Sequence, residues 1–239
     1  MDGDPDRLVD VIGVGAGDPA WLTLEAVRAL EALDVAFVFV KGADDELAGA
    51  RRALLPAGVR EVAIEDPPRG RGAEAVAAWR AERVRLVREA LAREPGRGGF
   101  LAWGDPTLYD GLIDVVREAG FGVRVLPGVS AVSALAARFG VTLNRVGGSV
   151  LLTSGRRLAA SGWPAEVGDV VVMLDTELTF RRFPEAEIFW GAYLGTPDEL
   201  LLSGVVAEVG PEIERVRSEA RRRKGWMFDT YLLRRPGPA

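Results

Sequence analysis

The chemistry open to this chain is limited first by what it lacks, since it contains no histidine and no cysteine. An imidazole base, a thiolate nucleophile, a disulfide and a Cys/His zinc site are all excluded, and no metal centre is expected. Proton transfer falls to Asp, Glu, Tyr, Lys, water or the substrate itself. Three short segments then carry the pattern of a ligand site. Gly13-Val14-Gly15-Ala16-Gly17-Asp18-Pro19 follows an apolar run and opens a helical one. Missing β-carbons let a ligand approach the backbone there, and a helix N-terminus offers unpaired N–H groups. Trp103-Gly104-Asp105-Pro106-Thr107-Leu108-Tyr109-Asp110 repeats the Gly-Asp-Pro of the first segment. The third, Pro127-Gly128-Val129-Ser130-Ala131, also follows an apolar run.

Each segment has a plainer reading. Asp105 and Ser130 are residue types that cap helices, and proline with glycine makes turns. A dinucleotide-binding loop competes for the first segment, but its third glycine would fall at Asp18, and the second strand ends Val40-Lys41-Gly42 without the required acid. A nicotinamide-dependent oxidoreductase is therefore the weaker alternative. Three such loops in one sheet would converge on its carboxyl edge, where α/β proteins bind ligands.

The elements that must hold these loops follow from periodicity. Leu8 to Val14, Val35 to Val40, Val59 to Ile64, Gly99 to Trp103 and Val123 to Leu126 read as strands, and the continuous apolar runs indicate a parallel sheet covered on both faces. Helices are expected at Trp21 to Leu33, Leu108 to Glu118 and Val129 to Phe139. Asn144 to Gly148 reads as a linker, after which strands recur at Val150 to Thr153, Asp169 to Leu174, Ile188 to Tyr193 and Trp226 to Leu233, with a helix at Glu212 to Arg223. The expected fold is two α/β domains, residues 1–146 and 147–239, with a ligand cleft between them. On a helix carrying Val76, Trp79, Val84, Val87 and Leu91, the residues Arg80 and Arg83 lie within the apolar face. They either snorkel to water or meet an anionic ligand in a polar cleft.

The net charge of −5 argues against attraction to nucleic acid. No apolar run is long enough to span a bilayer, and the acidic start is unlike a secretory signal, so a cytoplasmic protein without membrane association is expected.

The three loops, in this order, resemble those of the tetrapyrrole methylase family. Within it the chain is similar to the subgroup that methylates precorrin-5 at ring carbon 1 and releases an acetyl group as acetate. That similarity rests on Ala16 in the first loop, Asp66-Pro67-Pro68-Arg69, Leu143-Asn144-Arg145, Thr153-Ser154-Gly155-Arg156-Arg157-Leu158, the run from Trp190 to Glu199 and the run from Lys224 to Tyr231. The resemblance implies an S-adenosylmethionine-dependent methyltransferase, with S-adenosylhomocysteine as product, a tetrapyrrole substrate and a homodimer. Another methyltransferase of this fold is the nearest alternative. By the resemblance, the methyl donor contacts Trp103, Gly104, Asp105, Leu108, Ser130, Ala131, Met173, Leu174, Ala192 and Tyr193. The first loop, with Gly15 and Asp18, faces the substrate. The substrate's carboxylates call for cations, and among Lys41, Arg69, Arg80, Arg83, Arg145, Arg156 and Arg157 the expected contacts are Arg69, Arg83 and Arg145. Acetyl loss needs a base, for which Asp18 and Asp105 are expected as catalytic residues, with Tyr109 or Tyr193 behind them.

Overall fold

A computed structural model of the chain describes residues 3–42, 45–70 and 72–236. The chain divides into two compact units, 1–130 and 131–239. In the first, strands β1 (Leu8–Gly13), β2 (Val35–Val40), β3 (Arg60–Glu65), β4 (Gly98–Ala102) and β5 (Gly122–Leu126) form an all-parallel sheet of order β3-β2-β4-β1-β5. Side chains alternate across it. Val9, Val11, Val35, Phe37 and Phe100 pack on one face under α3 (Ala73–Arg93) and α4 (Leu112–Glu118), while Ile12, Ala36 and Leu101 pack on the other with α1 (Leu24–Glu31). Apolar side chains on both faces explain the uninterrupted apolar runs of β1 and β2. Asp10, on β1, is buried and neutralised by Arg97 at 3.1 Å and Arg124 at 2.7 Å.

Two expected helices start differently. The predicted helix from Trp21 is a 3-10 turn, Pro19–Trp21, followed by α1, because two caps divide it. The Asp18 carboxylate accepts from the Ala20 N–H at 2.8 Å and the Thr23 hydroxyl from the Ala26 N–H at 3.0 Å. Likewise α4 begins at Leu112, whose N–H donates to Asp110 at 2.7 Å, just after Tyr109 takes a left-handed φ of 55°.

The second unit contains α5 (Ala131–Phe139), β6 (Val150–Ser154), α6 (Gly155–Ser161), β7 (Asp169–Met173), β8 (Glu187–Ala192), β9 (Leu200–Val205), α7 (Val206–Lys224) and β10 (Asp229–Arg234). The sheet order is β6-β7-β10-β8-β9. Only β6 and β7 are parallel; β10 enters last and runs antiparallel to β7 and β8. The units divide earlier than the expected boundary at 146/147. Helix α5 belongs to the second sheet: Phe139 meets Phe189 edge-on at 5.4 Å, and a β-carbon on Gly191 would lie 2.8 Å from Leu135 Cδ1. Helix α7 starts six residues before the expected Glu212, with Pro211 inside it. A proline is a helix-start signal in sequence, and here that signal lies within the helix.

Candidate functional site

The three loops meet in the first unit. Gly15 and Gly104 pair as an isolated β-bridge, with the Gly104 N–H donating to Gly15 O at 2.8 Å and the Gly15 N–H to Gly104 O at 3.2 Å. Both glycines have positive φ, 78° and 74°. The second loop holds the third through Asp105: its Oδ2 accepts from the Gly128 N–H at 3.3 Å, and its Oδ1 from the Thr107 N–H and hydroxyl at 2.7 and 2.6 Å. Gly13 and Gly128 pack backbone to backbone. A β-carbon on Gly13 would lie 2.5 Å from Gly128 N and 2.8 Å from Pro106 Cδ. Thus Gly15, Gly104, Asp105 and the strand preceding Ser130 share the carboxyl edge of one sheet.

Asp105 therefore serves as a connector, with both oxygens hydrogen-bonded. If the loops hold the methyl donor that the resemblance implies, Asp105→Ala is expected to leave a folded protein that binds S-adenosylhomocysteine about tenfold more weakly, part of the loop geometry surviving through the Gly15–Gly104 bridge. Calorimetry checks this; unchanged affinity removes Asp105 from the site.

In the second unit, the expected donor residues come together at one end of the sheet. Thr230 of β10 pairs with Met173 on one side and Gly191 on the other, so Met173–Leu174 and Ala192–Tyr193 flank the same end of β10. Ala192 and Tyr193 are buried, with the Tyr193 hydroxyl donating to Trp226 O at 2.7 Å and burial pushing its pKa up. Leu174 is 56% exposed, although apolar. Among the described residues, non-glycine left-handed backbone occurs at Tyr109, Leu174, Leu178 and Tyr193. Two of these are expected donor contacts and a third adjoins Leu108. Such conformations cost on the order of 1–3 kcal/mol each and concentrate at functional sites.

A buried network fixes the Leu174 turn. Asp175, 3% exposed, accepts from the Thr179 N–H (2.6 Å), the Tyr231 hydroxyl (2.7 Å), the Glu177 N–H (3.0 Å) and the Thr179 hydroxyl (3.1 Å). The Asp175 carbonyl accepts from Arg217, which is also ion-paired with Asp229 at 2.7 Å. Burial and the adjacent carboxylate push the Tyr231 pKa far up, so it remains a donor. Sequence reading missed this network, because a lone acid after an apolar run carries no signal of what it caps.

Of the expected substrate residues, Arg69 and Arg83 share the Trp79 ring. Arg83 is mostly buried, 3.2 Å from Asp66 and over the Phe39 ring at 3.9 Å, so it neither snorkels nor lies on the surface. Arg69, from the Asp66-Pro67-Pro68 loop, stacks on Trp79 at 4.9 Å. Arg80 bridges Glu118 and Asp114 at the surface. Arg145, the third expected substrate contact, lies in the second unit. It is tied to Arg235 O and to Asp169, at the opposite end of β7 from Met173, where it braces the second sheet. Asp110, in the second loop, was given no role by the sequence reading, yet burial raises its pKa beside Arg83 and Arg51.

These arrangements match known proteins. The family model for tetrapyrrole (corrin/porphyrin) methylases matches residues 9–210. A Sinorhizobium protein named precorrin-6A synthase [deacetylating] is 41% identical over 250 aligned residues, covering 96% of this chain and 95% of the relative. The crystal structure of a cobalamin synthesis related protein (CobF) from Corynebacterium diphtheriae is similar with a TM-score of 0.80 and 31% identity, covering 95% of this chain and 98% of that one. A uroporphyrin-III-C-methyltransferase from Thermus thermophilus gives 0.66 at 25% identity, covering 96% and 92%. With three loops joined at a strand edge and a family match through both units, the chain belongs to the tetrapyrrole methylase family.

Proposed function

We propose that this protein transfers a methyl group from S-adenosylmethionine to ring carbon 1 of precorrin-5, with water consumed and the acetyl group released as acetate, giving precorrin-6A. The observation that carries this reading is 41% identity, across nearly the whole of both chains, to a protein named for that reaction. The residues fit the donor. Apolar Leu108, Met173 and exposed Leu174 suit an adenine and a thioether, while the rigid Gly15–Gly104 bridge offers backbone close to a ligand. The donor supplies an electrophilic methyl group on a sulfonium. Transfer in line asks the protein chiefly for alignment and exclusion of water. The expected donor contacts remain Trp103, Gly104, Asp105, Leu108, Ser130, Ala131, Met173, Leu174, Ala192 and Tyr193.

Acetyl loss needs a proton acceptor for the attacking water. Asp18 suits this better than Asp105, because the two Asp105 oxygens are both engaged by loop donors whereas Asp18 Oδ1 caps Ala20. Asp18→Asn keeps an oxygen for the cap and removes the carboxylate. Acetate release is expected to slow by about a hundredfold, the scale of general-base help, with S-adenosylhomocysteine affinity unchanged. An unchanged rate assigns the base elsewhere. Residence in the cytoplasm and a homodimer belong to the same reading, and sedimentation tests the latter.

Calorimetry tests the donor class. S-adenosylhomocysteine is expected to bind at micromolar concentration and NADH not at all. The reverse result would replace the methyltransferase with an oxidoreductase.

A further inference from the structure

We propose that Arg51, Trp79 and Arg83 form a receiving site for one peripheral carboxylate of the substrate, with Arg51 as a contact that neither motif nor relative assigns. The proposal rests on the tetrapyrrole reading above. Among the described residues, the buried side-chain nitrogens and oxygens without a hydrogen-bond partner are Arg51 Nε, Asp66 Oδ1, Trp79 Nε1 and Arg83 Nε. Buried polar groups are almost always paired, so orphans gathered in one place call for an explanation. These are gathered. Arg83 lies 3.2 Å from Asp66, close enough for the charges to pair but not aligned for a hydrogen bond. The Arg83 guanidinium sits over Phe39 at 3.9 Å and Trp79 at 4.8 Å. Arg51 and Arg83 both feel the charges of Asp66 and Asp110; Arg51 also feels Arg83, and Arg83 feels Arg69.

The N–H groups of Arg51, Trp79 and Arg83 outnumber the one unsatisfied acceptor, Asp66 Oδ1, and two of the three belong to cations. Burial lowers the pKa of both arginines, yet a guanidinium stays charged at any working pH. Asp66 and Asp110 offset the two charges but leave these donors without an aligned acceptor, and an anion with two acceptor oxygens would satisfy them. A carboxylate matches that fork geometry.

The position also fits. Phe39 is near the carboxyl end of β2, and Asp66 follows β3, its N–H donating to Val40 O at 2.8 Å. The orphans therefore lie along the same sheet edge as the three loops. In the order β3-β2-β4-β1-β5, strand β4 separates β2 from β1, a spacing of about 10 Å. A macrocycle with carboxylates on its periphery bridges such a distance, one side chain anchored at β2 while a ring carbon lies by the loops of β4 and β1.

Uroporphyrin III is the probe, a stable tetrapyrrole with carboxylates around its ring, and its methyl ester is the neutral control. Binding is read by fluorescence with S-adenosylhomocysteine present. Arg51→Gln and Arg83→Gln are each expected to weaken uroporphyrin about tenfold, the scale of one charge-assisted pair, and the ester should bind poorly to every variant. Arg51→Lys, which keeps the charge but not the fork, should fall between wild type and Arg51→Gln. S-adenosylhomocysteine affinity stays within about twofold in all, which separates this site from the donor site and from misfolding. Arg85→Gln, on the exposed face of α3 between Glu82 and Glu89, should bind as wild type. The proposal is overturned if Arg51→Gln and Arg83→Gln bind uroporphyrin as wild type does, or if the ester binds as well as the acid. Failure of the methyltransferase reading has a separate signature, an unaltered protein that binds no S-adenosylhomocysteine.

Discussion

Gly128→Ala is expected to abolish measurable S-adenosylhomocysteine binding and to destabilise the first unit by about 3 kcal/mol, the upper part of the usual range for overpacking. The new β-carbon would collide with the Gly104 carbonyl oxygen and lie 2.8 Å from Gly13 C and 2.9 Å from Gly13 Cα. All of these atoms are backbone, so no rotamer relieves the contact. The three loops must separate, and the Gly15–Gly104 bridge and the Asp105–Gly128 bond separate with them. Gly111→Ala is the matched control: nothing lies within 4 Å of its would-be β-carbon. Its affinity for S-adenosylhomocysteine should stay within about twofold of wild type. Calorimetry and chemical denaturation of both variants decide the matter. Full donor affinity in Gly128→Ala would show that the loop junction does not build the donor site.

Asp175→Ala is expected to be at least as costly in the second unit. It leaves the Thr179 N–H and the Tyr231 hydroxyl buried without an acceptor, each worth about 1–3 kcal/mol, so a loss of about 3–5 kcal/mol follows. The carboxylate also holds the turn in which Leu174 takes φ 54° and Leu178 φ 56°. Without it, Leu174 relaxes toward ordinary backbone and donor affinity falls. Tyr231→Phe removes one donor and keeps the acceptor, and should cost only about 1 kcal/mol. A guanidinium melt measures the first effect. Titration of the folded variant with S-adenosylhomocysteine, at a temperature well below melting, measures the second. Equal stability of Asp175→Ala and wild type would remove the network from the account.

The first unit was largely legible, because parallel strands buried on both faces announce themselves as unbroken apolar runs. Val35–Val40 was expected and is found with those bounds. The loops were legible too, since glycine, proline and aspartate each have local reasons to stand where chain direction reverses. The second sheet was harder. Its strands were mostly placed, but the insertion of β10 between β7 and β8 is a long-range pairing that no local pattern encodes. Strand β9 ends in Ser203-Gly204-Val205, with Gly204 at φ 151°, and its half-buried edge position blurs any alternation. Helix α2 (Glu46–Arg52) has seven residues with a glycine inside, too few for a helical period to emerge. Arg51 lies on it, and no periodicity or motif singles that arginine out. Arg145 is a different case. Its motif points to the substrate, while its backbone N–H donates to Asp169 and its guanidinium to Arg235 O, two long-range partners that no local pattern encodes.

The most direct test is incubation of the protein with precorrin-5 and S-adenosylmethionine labelled on its methyl group, followed by mass analysis of the tetrapyrrole and assay of free acetate. One labelled methyl gained and one acetate released per tetrapyrrole is the predicted result. A product that keeps its acetyl group, or carries no label, would contradict the proposed reaction.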